Sequence, residues 1–312
     1  MSIPQDHHYL PEFYLKRWLT SGRKQVCEYS RPYKEVHCRL RYPSETGKQR
    51  NLYSLPGEDD PATREHVEIR VMSPLDDAAA TALSVIESGK HVTDPVMRDA
   101  WAKFLVSQLH RSPARLRYFS RKIRGVDGEI TASDLEDYRR LKPPGAPDNP
   151  RDYFKDVHED EISHTRAKLI TGLIQSAMLA GAIIHMDWRI LRLDCRHGLL
   201  TSDDPIMTSN GIGHENSFVM LPISPEMMFI ASKQPRVIDA FASQDALALE
   251  RGFNDAICRQ ADALVIGSDG SQKRFVANRL GRADAEKAAG LQERFTWKSP
   301  LIDRLPGHQA PH

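Results

Sequence analysis

The chain has 312 residues, 40% of them apolar and 27% charged, which is a globular composition and excludes the disordered class. A formal net charge of +1 excludes a whole-molecule field that would draw it to nucleic acid or an anionic membrane, so any such binding must come from a local patch. The opening Met1-Ser-Ile-Pro-Gln-Asp lacks the basic start and apolar run of a signal peptide. Leu169–Met186 is apolar but contains Thr171, Gln175, Ser176 and His185, and reads as a buried helix rather than a membrane span. These readings predict a soluble, cytoplasmic protein without a membrane partner. Cys27, Cys38, Cys195 and Cys258 show no CxxC spacing, which argues against zinc or a redox pair. Reduced core thiols are expected in preference to a Cys27–Cys38 bridge across a hairpin.

In chain order, His8–Leu19 places Leu10, Phe13, Tyr14 and Trp18 near helical spacing, with Pro11 in the first turn. Residues 25–30 and 36–41 flank Arg31-Pro32-Tyr33-Lys34 and predict a hairpin. Ser73-Pro74 with Asp76 and Asp77 predicts a capped helix start, and Asp94-Pro95 another, followed by Met97, Trp101, Phe104, Leu105 and Leu109 on one face. A Ser133 cap predicts a short helix to Leu141. Residues 143–150, with four prolines and a glycine, hold neither helix nor central strand and predict an exposed loop. One long helix from Asp152 to about His185 is expected to bury Ile162, Leu169, Leu173, Ile174 and Met178. Thereafter Trp188–Leu193, Leu199–Thr201, Phe218–Leu221 and Met227–Ala231 read as strands of one sheet, followed by a helix over 244–260 and a last strand over 263–267.

The expected class is α+β: a helix-rich middle and a small, mostly antiparallel sheet built from N-terminal and C-terminal-half strands. A single large domain, residues 1–305, would hold an N-terminal part (1–57), a helical region (73–186) and a sheet-forming region (187–290), with 306–312 a frayed tail.

Three segments carry a resemblance. The first is His7-His8-Tyr9-Leu10-Pro11 leading to Phe13-Tyr14-Leu15-Lys16-Arg17-Trp18. The second is Thr201-Ser202-Asp203-Asp204-Pro205, with Trp188 upstream; the third is Leu221-Pro222-Ile223-Ser224-Pro225, with Asn254 after it. His110-Arg111-Ser112-Pro113 adds a basic-small-proline step. Together they resemble the bacterial family known as domain of unknown function 4238, almost end to end. Asp204 stands where the family more often has asparagine. The resemblance implies a shared fold and a shared site, and brings no mechanism.

Among groups able to carry chemistry, His7 and His8 can ligate a metal, move protons or bind phosphate, but adjacent side chains on a strand point to opposite faces. One histidine is therefore expected in a site and the other in packing, unless both only fix the N-terminus. Ser202, Asp203 and Asp204 present a hydroxyl and two carboxylates in a turn after a strand. Asp203 and Asp204 suit Mg²⁺ or Mn²⁺, Asp203 alone suits a general base, and Ser202 is a weak nucleophile without a GxSxG elbow. The bland alternative is turn chemistry. Arg111, Arg115, Arg117, Arg121, Lys122 and Arg124, interleaved with Tyr118 and Phe119, suit phosphate or stacked bases, or else a solvated face paired with Glu159, Asp160 and Glu161. Glu68 would complete a metal shell.

Walker A, GxGxxG, HExxH and kinase signatures are absent, so no nucleotide cofactor is expected. Two functions remain. The first is a metal-assisted phosphoester hydrolase acting on nucleic acid or a nucleotide. It has His8, Asp203 and Ser202 as catalytic candidates and His7, His8, Asp203, Asp204 and Glu68 around a divalent Mg²⁺, Mn²⁺ or Zn²⁺. Arg111, Arg115, Tyr14 and Asn254 would face the substrate. The second is a non-catalytic recognition module for a protein or RNA partner. The two differ in whether His8 and Asp203 come within reach of one ion.

Overall fold

The computed structural model describes residues 5–280 apart from 90–91, 125–131, 143, 151, 153–158, 210–211 and 213. Its strands are β1 (Asp6–His8), β2 (Val26–Ser30), β3 (His37–Arg41), β4 (Lys48–Arg50), β5 (Asp187–Arg192), β6 (Thr201–Ser202), β7 (Met207–Thr208), β8 (Phe218–Ser224), β9 (Met227–Ser232) and β10 (Leu264–Gly267). Its helices begin with α1 (Glu12–Leu15), α2 (Pro61–Arg64), α3 (Ser73–Glu87), α4 (Pro95–His110), α5 (Pro113–Ile123) and α6 (Ala132–Leu141). They continue with α7 (Glu159–Ile174), α8 (Ala177–Ile184), α9 (Pro235–Ala242), α10 (Ala246–Gln260) and α11 (Lys273–Ala277). The class is α+β, with a helical middle and small antiparallel sheets.

Three sheets replace the one expected. β1 pairs with β4; β3-β2-β10-β6 form a second sheet; β5-β9-β8-β7 form a third. The second sheet joins the two ends of the chain: β10 lies between β2, with Val265 opposite Tyr29, and β6, with Val265 opposite Ser202. Thr201–Ser202 thus leaves its sequence neighbours, because the Asp203-Asp204-Pro205 turn separates it from β7, which joins β8.

The third sheet is a partition. On β8, Val219, Leu221 and Ile223 point into one core, and Phe218 and Met220 into the other. β9 alternates in the same way, with Phe229 and Ala231 on the first side and Met228 and Ile230 on the second. Period-two alternation normally gives one wet face. Here α3, α4 and α8 cover one side with Leu83, Trp101, Phe104, Leu105 and Ile183, and α9 and α10 cover the other with Ile238, Phe241, Phe253 and Ile257. Full burial of such side chains stabilises by roughly 1.5–3 kcal/mol each.

Several local expectations change. His8 lies in β1, and the first helix starts only at Glu12, after an extended Pro11, before tightening into a 3-10 turn at Lys16–Trp18. Ser73 caps nothing: a π-helix over Glu68–Met72 runs into α3, so the Ser73-Pro74 step lies inside a continuous helical path. The expected helix over 152–185 breaks at Gln175–Ser176, where the Ser176 hydroxyl accepts the Leu179 N–H at 3.3 Å and opens α8. Ile162, Ile170 and Ile174 are buried, whereas Leu169, on the outer face of the same helix, and Met178, beyond the break, are exposed. The β2–β3 hairpin forms as expected, but Cys27 and Cys38 are joined by a disulfide rather than reduced. Cys27 faces Leu40 and Cys38 faces Tyr29, so the two sulfurs are diagonal neighbours on one face. Residues 144–149 are irregular, as expected of a proline-rich loop. The Ser133 side chain and the tail from 306 lie outside the described residues.

Candidate functional site

The N-terminal motif is held by Gly47, whose carbonyl accepts the Tyr9 and Leu10 N–H groups at 2.9 and 3.0 Å. Its φ of +64° and the 2.8 Å that would separate an added Cβ from Leu10 Cβ require glycine there. From this anchor β1 sends its two histidines in opposite directions. His7 is fully buried: Nδ1 accepts the Tyr53 N–H at 3.0 Å, Nε2 lies 2.9 Å from Glu65 Oε2, and the ring stacks on Tyr53 at 5.5 Å. Glu65 also accepts the Ser54 hydroxyl, at 2.9 and 2.7 Å to its two oxygens. Both imidazole nitrogens are engaged, so His7 offers no lone pair to a metal; it fixes the motif to the core.

His8 is the other case. Half-buried, it has an Nε2 that is inaccessible and makes no hydrogen bond among the described residues. Burial lowers its pKa below the usual 6.5; Glu12 opposes this, and the Lys48 and Arg111 charges reinforce it. It is therefore a neutral imidazole among charges of both signs, Glu12 and Asp76 against Lys48 and Arg111.

Arg111 is the hub of the surrounding cluster. Its guanidinium is 1% exposed and grips Asp76 with two bonds of 2.7 and 2.9 Å, while Nη2 also donates to the His8 carbonyl at 2.6 Å. The Tyr53 hydroxyl donates to the Arg111 carbonyl at 2.8 Å. Arg111 is thus a buried internal charge and not the surface phosphate clamp expected of it. Beside it stands Glu68, on the first residue of the π-helix, a distortion that often marks functional positions. Its Oε2 is buried without a partner, and the Ser73 hydroxyl reaches only Oε1, at 3.4 Å. Burial pushes the Glu68 carboxyl up to about 7, with Arg111 opposing and Asp76 and Glu65 adding to the rise. His8 and Glu68 are two titratable groups beside one buried ion pair, each with an unsatisfied polar atom.

The Thr201–Pro205 segment meets the N-terminal motif, but through its tyrosines. Tyr14 shares a 2.7 Å hydrogen bond with Thr201 Oγ1 and donates to the Pro222 carbonyl at 2.7 Å. Tyr9 feels the Asp203 charge after the larger effect of its own burial. Asp203 is buried and accepts the N–H groups of Asp262 and Ala263 at 3.0 and 2.6 Å, and of Leu264 at 3.3 Å. Burial raises its pKa to about 7 against those N–H bonds. Asp203 therefore holds the entry to β10, and its oxygens are spent on backbone. The Ser202 hydroxyl donates to the Asp204 carbonyl at 3.0 Å, and that same carbonyl accepts from Gln260. Asn254 accepts the Leu200 N–H at 2.8 Å and donates to the Gly198 carbonyl at 2.9 Å. Tyr14, Ser202, Asp203 and Asn254 thus tie the strands together, the bland reading of that turn. The described contacts do not bring Asp203 or Asp204 into the Arg111 cluster.

Along α5, Arg117 pairs with Asp262 at 2.6 Å and Arg124 with Glu159, as a solvated helix face would. Arg115 is half-buried and makes no side-chain bond among the described residues. No three His, Cys, Asp or Glu side chains among the described residues are grouped so as to hold a metal ion. Asp76, Tyr53 and Glu65 were missed as members of the cluster. Asp76 read as a helix-dipole acid, and nothing near Tyr53 or Glu65 in the sequence marks a partner.

A family model described as a protein of unknown function (DUF4238) matches residues 6–271. No curated protein and no solved structure matches the chain.

Proposed function

The chain belongs to this family of unknown function, the match covering most of its length, and from its site we propose that it is a hydrolase acting by general acid–base catalysis through His8 and Glu68. The observation that carries the reading is the pair of buried, unpartnered atoms, His8 Nε2 and Glu68 Oε2, flanking the Arg111–Asp76 pair. Leaving such groups unsatisfied costs about 1–3 kcal/mol each, a cost that functional sites bear. A neutral imidazole serves as base toward water, and a carboxyl titrating near 7 serves as acid toward the leaving group. The proposed substrate is a phosphoester of a nucleotide or nucleic acid; Lys48, partly exposed and paired with Asp6, is the cation beside His8 placed to meet it. A divalent ion carried by the phosphoester would supply an activated water, leaving the His8 and Glu68 atoms to proton transfer.

The test is turnover of a panel of aryl phosphate mono- and diesters, with EDTA and with added Mg²⁺, Mn²⁺ or Zn²⁺. The expected result is hydrolysis that falls by about 10²-fold or more in both His8→Ala and Glu68→Gln. The rate should be highest just below pH 7, because His8 must be neutral and Glu68 protonated, and should fall above it as Glu68 ionises. Turnover indifferent to both substitutions would overturn the assignment.

A further inference from the structure

Away from the Arg111 cluster, a cleft of about 380 Å³ opens between the first half of α10, the Arg196–His197 turn and the start of α11. That size suits a small molecule, for which pockets run to roughly 300–1,000 Å³. Leu247, Arg251 and Asn254 follow one another at helical spacing along one face of α10 and line it. Its rim is basic and exposed: Arg196, His197 and Arg251. Among the described residues neither the Arg196 nor the Arg251 guanidinium makes a hydrogen bond or ion pair. The nearby Asp269 carboxylate is held by the Ser271 N–H at 2.8 Å.

The one acid in the lining does not cancel the two arginines. Glu250 is buried and accepts the N–H groups of Arg196 and His197, each at 2.8 Å, so its oxygens are engaged in shaping the turn and its single charge stands against two arginines. The floor is equally committed. Gln272 donates to the His197 and Gly198 carbonyls at 3.1 and 2.9 Å and accepts from Asn254 at 3.2 Å. What is left unsatisfied is two guanidinium forks above an apolar slot between Leu247, which is 48% exposed, and the Phe275 ring. The Arg279 guanidinium lies 3.7 Å from the Phe275 ring centroid and fixes that ring.

We infer that this cleft binds a small anionic molecule carrying one flat apolar ring system, its acid group on Arg196 and Arg251 and its ring between Leu247 and Phe275. Arginine forks bind planar carboxylates and phosphates in two-point fashion, and a rigid floor lowers the ordering cost of the complex. The inference is independent of the acid–base reading, since none of its residues belongs to that cluster.

Calorimetric titration of the full chain tests it with three probes that share a ring: 2-naphthoate, 2-naphthylmethylphosphonate and the neutral 2-naphthalenemethanol. Both acids should bind more tightly than the alcohol, more weakly at high salt, and the tighter acid identifies the anion. In the Arg196→Ala/Arg251→Ala double variant, acid binding should weaken by at least about tenfold, as expected for charge-assisted bonds. Leu247→Asp should weaken all three probes. These side chains are exposed, so the thermal transition should be unchanged and loss of fold is excluded as a cause. Failure of both acids to bind, equal binding of the alcohol, or full acid binding by the double variant would overturn the inference.

Discussion

At the scale of single residues, the decisive contrast is between His7 and His8. Neighbours in sequence, they differ because a strand sends them to opposite faces: one has Nδ1 bonded to the Tyr53 N–H and Nε2 against the Glu65 carboxylate, the other keeps a buried Nε2 without a partner. That the two rings would diverge, with one of them packed into the core, was legible in the sequence. The role of Arg111 was not, because a basic run looks alike whether it is solvated or locked to a carboxylate 35 positions away. The buried pair makes a specific prediction. Asp76→Ala, which leaves the buried Arg111 charge uncompensated, should cost about 3–5 kcal/mol in urea unfolding, and Arg111→Ala, which leaves the partly exposed Asp76, less. The double variant should cost much less than the sum. Additive losses below about 1 kcal/mol would show that the pair is not coupled as described.

At the scale of elements, β8 and β9 explain why the fold was only partly legible. Short apolar runs located β8 and β9, though not β1, β4 or β7, and alternation could not reveal that both faces of β8 and β9 are dry. Residue 219 and its alternates serve one core, and residue 218 and its alternates the other. Leu221→Ala and Met220→Ala should therefore each cost about 2–5 kcal/mol, with nearly additive effects, because they open cavities on opposite sides of one sheet. Strong coupling between them in denaturant titrations would contradict the two-core description. The π-helix was equally invisible, since no residue pattern announces an extra residue in a turn. Glu68 was nonetheless singled out from its apolar setting, and the π-helix places it beside Arg111.

At the scale of the whole molecule, three segments distant in sequence close on one another. β10 stitches β2 to β6, and the Tyr14 hydroxyl binds Thr201 and Pro222. The TSDDP turn belongs to this stitching, which is why a paired-carboxylate reading overestimated its chemistry. Stability should carry the signature of the two raised carboxyls. Glu68, ordinarily near 4.5, and Asp203, ordinarily near 3.8, both move to about 7 in the fold. Between about pH 4 and 7 the folded chain retains protons that the unfolded chain has lost. Their contribution is therefore fully present at the acid end and fades as pH rises through 7. His8, with a lowered pKa, works the other way, adding stability only above its own lowered value. Denaturation midpoints followed across this range should fall less steeply in Glu68→Gln/Asp203→Asn than in the parent chain. An unchanged slope would place the titrating groups elsewhere.

The most direct test of the acid–base site needs no substrate. With glutamate side chains labelled at the carboxyl carbon, ¹³C NMR titration of the intact chain, assigned through Glu68→Gln, reports the Glu68 midpoint itself. A midpoint of about 7 is the result expected of an acid with one buried, unpartnered oxygen beside Arg111 and Asp76. A midpoint near the ordinary 4.5 would mean that Glu68 is an ionised, solvated side chain at neutral pH, and the acid half of the proposed mechanism would be lost.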